Sequence, residues 1–154
     1  MSRWYRVFGR AEAQPNPEAF LHHLRSLGVT GPVQFRGDDE GWTSAEITLA
    51  EGVSSLRLEC FLATESGIRV ELNNWAAWLE TCDYSPHYTS LMERVIQTRQ
   101  LYTLRQPLDH ADEVFLEKVC AGTCAYLAGA TDGIYQLDGA GIFASDSTCL
   151  LQEY

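Results

Sequence analysis

The sequence predicts an α+β fold: an antiparallel β-sheet with helices packed on at least one face. Three observations carry this expectation. Residues 42–72 hold three successive apolar–polar alternations, Asn16-Pro17 and Ser85-Pro86 are helix-start signals, and Asp-Gly and Asp-Ser turns punctuate the end of the chain. With 154 residues, 45% hydrophobic and 21% charged, the chain can bury a core without staples, and residues 1–154 are expected to form one domain.

Residues 3–8 read as a first strand, closed by Gly9. Asn16 can cap a helix that has proline at its first position, and Phe20, Leu21, Leu24 and Leu27 then recur on one side until Gly28. In 42–49, Ala45, Ile47 and Leu49 alternate with Ser44, Glu46 and Thr48. In 55–62, Leu56, Leu58, Cys60 and Leu62 alternate with Arg57, Glu59 and Phe61. In 67–72, Ile68, Val70 and Leu72 alternate with Arg69 and Glu71. Joined by Glu51-Gly52 and Glu65-Ser66-Gly67, these three segments predict an antiparallel meander with one buried face.

Three helices are expected next. Trp75, Trp78 and Leu79 mark a short one after Asn73-Asn74, and Tyr88, Leu91, Met92, Val95 and Ile96 a longer one. The third is capped by Asp109, carries Asp112 and Glu113 in its first turn, and has Leu116, Val119, Cys120, Cys124 and Leu127 as its stripe. From Gly133 onward, two or three short strands form a terminal β-hairpin. The order is thus strand, helix, three-strand meander, three C-terminal helices and hairpin. Gln106-Pro107 is the best internal break, and the faint likeness of Ser66-Gly67-Ile68 to Asp132-Gly133-Ile134 is too short to make a repeat.

Eleven basic residues stand against 21 acidic ones, a formal charge of −10. Such a surface repels phosphate backbones and anionic lipid, so neither nucleic acid nor membrane is an expected partner. It suits a basic protein, whose approach it would steer. No apolar run is long enough for a signal peptide or a membrane span. Five cysteines, an odd number spread through predicted core elements, fit reduced thiols, and the expected location is cytoplasmic.

Chemistry-bearing patterns are weak. Cys82 and His87 with Cys120 and Cys124 come nearest to a zinc set, but the last two already belong to an apolar stripe, so no metal is expected. His22, His23, His87 and His110 have no spacing that pairs them with a thiol. His22 and His23 are expected to face solvent. Asp132, Asp138 and Asp146 sit where turns are expected, and Asp38-Asp39-Glu40-Gly41 reads as an acidic loop tip. Gly139-x-Gly141 lacks the rest of a dinucleotide fingerprint, and no cofactor is expected.

The outer face of the meander is the candidate site. If Ala45, Ile47, Leu56, Leu58, Cys60, Ile68, Val70 and Leu72 point inward, then Trp42, Arg57, Glu59, Phe61, Arg69 and Glu71 point outward as partner-binding residues, with Glu46 beside them. Solvated cross-strand pairs would explain the charges; the two aromatic side chains favour a docking surface, unless the C-terminal helices cover this face. The expected function is a small acidic protein–protein interaction module for a basic partner. Immunity proteins and antitoxins share these general properties of size and charge. The alternative is a small-molecule enzyme or ligand-sensing domain with its cleft between sheet and helices.

Overall fold

The computed structural model describes residues 3–50, 55–107 and 112–153. Its first strand, β1 (Arg3–Gly9), lies in the middle of an eight-stranded antiparallel sheet. Neighbouring side chains Val7 and Phe8 are both buried, one in each of two cores, so the sheet is covered on both sides at this point. Gly9 is required by close approach: a Cβ there would come within 2.5 Å of Thr131 Oγ1.

Helix α1 (Pro17–Ser26) starts as expected. Asn16 accepts from the N–H groups of Glu18 and Ala19, Pro17 occupies the first turn, and Phe20 and Leu24 are buried. Strands β2 (Val33–Asp38), β3 (Gly41–Thr48) and β4 (Ser55–Leu62) follow, then helices α2 (Ile68–Glu80) and α3 (Tyr88–Ile96). Strand β5 (Gln100–Gln106) leads to α4 (Glu113–Ala130), and β6 (Gly133–Leu137), β7 (Gly141–Ala144) and β8 (Cys149–Gln152) complete the order. Across the sheet the strands run β2-β3-β4-β5-β1-β6-β7-β8.

Helices α1 and α4 pack on one face, where Phe20, Leu24, Val119 and Cys124 meet Tyr5, Ile47, Leu58 and Tyr102. Helices α2 and α3 pack on the other, bringing Leu72, Leu79, Leu91 and Val95 to Phe8, Leu101, Ile134 and Ile142. The succession strand-helix-three strands occurs twice, as β1-α1-β2-β3-β4 and β5-α4-β6-β7-β8, with α2 and α3 between. The short likeness seen in the sequence does not mark it: Ser66–Ile68 leads into α2, whereas Asp132–Ile134 opens β6.

The α+β class and the antiparallel sheet are present; the expected meander and helix order need correction. Residues 68–80 form α2, so Arg69 and Glu71 belong to a helix rather than a third strand. Five alternating residues fit a strand and one side of a helix equally well. The longer spacing of Ile68, Leu72, Trp75, Ala76 and Leu79 is helical, and Val70 is left exposed. The meander is β2-β3-β4 instead. Three helices do follow it, but β5 separates α3 from α4. The cap of α4 is Asp112, which accepts from Phe115 N–H at 3.0 Å; Asp109, His110 and the Glu51-Gly52 turn lie outside the described residues. Among the described residues no helix is long and apolar enough to cross a membrane.

Candidate functional site

The sheet face expected to carry a docking surface is divided. One cross-strand row, Phe61–Leu101–Phe8–Ile134, belongs to the core under α2 and α3, with Phe61 half-buried at its end. The next row, Glu59–Thr103–Arg6–Gln136, is polar, and beyond it Glu46–Arg57–Arg105–Trp4 is more open still. Arg57 and Glu59 therefore stand on the open part, paired at 3.5 Å. Arg6 is held at the boundary: it donates to Gln136 and Asp138 and lies 5.0 Å from the ring centre of Trp75. Glu71 joins this boundary from α2 by accepting from Trp75 Nε1.

Trp42 is not on that face. The pairing of β2 with β3 passes from Arg36–Ser44 to Gly37–Trp42, so Thr43 is an extra residue and the strand bulges. A bulge reverses the facing of everything beyond it, and Trp42 turns inward with Ala45 and Ile47, 7% exposed. Gln14 fixes this geometry, since its amide donates to the Trp42 carbonyl and accepts from the Trp42 N–H, while the indole donates to Pro15 O. Gly41, with φ of 146°, leaves room for the same amide. The six residues expected to form one surface are therefore not brought together.

The cysteines do not assemble either. Cys82 lies in the core under α2 and α3, whereas Cys120 and Cys124 lie in the core under α1 and α4, across the sheet. Among the described residues no three His, Cys, Asp or Glu side chains could hold a metal ion. Burial pushes the Cys120 thiol up to about 12 and raises Cys60 and Cys124 as well, the reverse of what a nucleophile needs. His22 is exposed; His23, expected in solvent, is stacked 4.5 Å from Tyr126 and bonded to Gly122 O, joining α1 to α4. The expected turn roles are visible at Asp38 and Asp146, whose carboxylates accept from Glu40 and Thr148 N–H groups.

What the fold does bring together lies at one end of the sheet, where β1 and β4 finish and β5 begins. The ladder continues past the strands: Ala63 N–H donates to Arg99 O and Arg99 N–H to Gly9 O, each at 2.8 Å. An open cleft of about 1020 Å³ lies there, reached by Arg10, Arg69 and Arg99 from three separate segments, over Leu62, Ala63 and Ile96. Arg10 is fastened to Asp132 at 2.9 Å and to Gln97, Arg99 to Glu12, and Arg69 to the Ile96 carbonyl at the end of α3.

Beside it, a second hollow of about 460 Å³ is bordered by Glu12, Asp38, Glu40 and Glu65 over Trp42 and Cys60. Glu12 and Leu62 line both, so the two make one groove with a cationic and an anionic half. Sequence reasoning missed this site because its charged residues come from segments far apart in the chain, some between elements and others at the end of β2 and the start of α2. The acidic tip at Asp38–Gly41 is visible in the sequence, and Trp42 and Arg69 are singled out there too, but as parts of a different surface. Comparison of the chain with protein-family models, curated proteins and solved structures finds no match.

Proposed function

We propose that the protein is a binding module that receives a basic segment of another protein at the anionic half of this groove. The observation that supports the reading is the gathering of Glu12, Asp38, Glu40 and Glu65 around one hollow, in a chain of net charge −10. Among the described residues only Glu12 of these four is in an ion pair. The carboxylates outside ion pairs keep their attraction for an incoming cation. The long-range field of the acidic surface would speed encounter, and the groove would set where the partner lands.

The test is calorimetric titration with an arginine-rich peptide, repeated as salt is raised. Replacing the four acids together (Glu12→Gln, Asp38→Asn, Glu40→Gln, Glu65→Gln) is expected to weaken binding at least about tenfold. Replacing four exposed acids outside the groove, Glu80, Asp83, Glu93 and Glu113, should cost much less. Equal losses in the two variants would reduce the interaction to net charge and remove the groove from it.

A small-ligand reading is favoured by one observation, the three arginines of the adjoining half.

A further inference from the structure

We infer that the cleft between the ends of β1, β4 and β5 and helices α2 and α3 binds a small molecule bearing an oxyanion on an apolar group. This goes beyond the basic-partner reading and uses the other half of the groove.

The local charge is opposite in sign to that of the whole molecule. Three arginines line the cleft against two carboxylates, Glu12 and Asp132, whereas the chain carries 21 acids to 11 bases. The two ion pairs do not exhaust the guanidinium groups. Both carboxylates are largely exposed, at 81% and 69% of their side chains, and pairs of that kind contribute little, so a bound anion can share or replace them. Arg69 is the most available of the three. It donates one N–H to Ile96 O at 3.0 Å and has no carboxylate partner among the described residues, which leaves donors for a planar two-bond contact.

The apolar part of the ligand is indicated by the floor. Leu62 and Ile96, 41% and 51% exposed, are two of the large hydrophobic side chains left to solvent, and both line this cleft. Their burial would add to the charge contact. Volume also suits: about 1020 Å³ is at the upper end of small-molecule sites. Arginines acting only as staples between strand ends would explain the ion pairs but not the exposed leucine and isoleucine between them.

Calorimetric titration with phenyl phosphate and with benzoate tests the site, with inorganic phosphate and benzylamine for comparison. The expected result is saturable binding of one or both aromatic anions, tighter than inorganic phosphate, and none of benzylamine. The tighter of the two assigns the headgroup as phosphate or carboxylate. Arg69→Gln is expected to weaken binding roughly tenfold, and Ile96→Ser to weaken the aromatic anions while leaving inorganic phosphate unchanged. Both positions are exposed, and thermal melts of each variant check that folding is intact. Failure of both anions to saturate, or equal affinity of wild type and Arg69→Gln, overturns the proposal. Affinity for the arginine-rich peptide is measured on the same Arg69→Gln protein; its persistence there separates failure of this site from failure of the basic-partner reading.

Discussion

On one face of the sheet, α1 and α4 seal an apolar set that runs from Val33 and Ile47 through Leu58, Tyr102 and Tyr5 to Tyr135. On the other, α2 and α3 cover the row of Phe61, Leu101, Phe8 and Ile134, and the sheet beyond is left to Glu59, Arg57, Arg105 and their neighbours. The same strands thus serve a continuous core on one side and a divided surface on the other. Alternation along a strand says which residues share a side; it does not say how far a covering helix reaches.

The comparison can be broken most severely at Trp42. Trp42→Ala removes a buried ring in contact with Phe20, Phe35 and Tyr102 and is expected to cost about 3–5 kcal/mol in urea unfolding. Little change would return Trp42 to the surface. Leu58→Ala, fully buried on the same face, is expected to cost about 2–5 kcal/mol.

Alkaline pH sharpens the contrast further. Burial raises Cys120 from 9.0 to about 12 and also lifts Cys124, Tyr5 and Tyr102, all in the core under α1 and α4. The unfolded chain gives up these protons first. Stability is therefore fully present below about pH 9 and falls as pH rises towards 12, Cys120 alone removing about 1.4 kcal/mol per pH unit. Urea unfolding at a series of pH values reads this slope, and Cys120→Ala should make it shallower. The smallest effect belongs to the open part of the other face: Arg57→Ala and Glu59→Ala should each shift stability by no more than about 0.5 kcal/mol, since their pair is exposed.

Where one physical signal acts alone, the sequence is readable. Asn16 and Pro17 start α1, and Ala45, Ile47, Leu56, Leu58 and Cys60 are buried as their alternation requires. Where two signals compete, it is not. Strand β5 is buried on both sides, Leu101 in one core and Tyr102 and Leu104 in the other, so it shows no clean period of two. Edge strand β2 is mostly exposed and its apolar residues are few. The bulge at Thr43 depends on a partner amide from Gln14, which no local pattern around Trp42 contains. The arginine cleft was illegible for a related reason: Arg10 follows β1, Arg99 precedes β5 and Arg69 lies in the first turn of α2, and only the tertiary fold makes them neighbours.

The central place of β1 has a bearing on how the chain reaches its fold. Residues 3–9 find their partners at 100–106 and 133–137, so the strand made first waits for most of the polypeptide before its backbone is satisfied on either side. Contacts of such long sequence separation slow folding and leave an unpaired edge exposed meanwhile. The β2-β3-β4 hairpins close locally and can form early; the joining of the two halves through β1 is the step that a chaperone or a slow refolding phase would report.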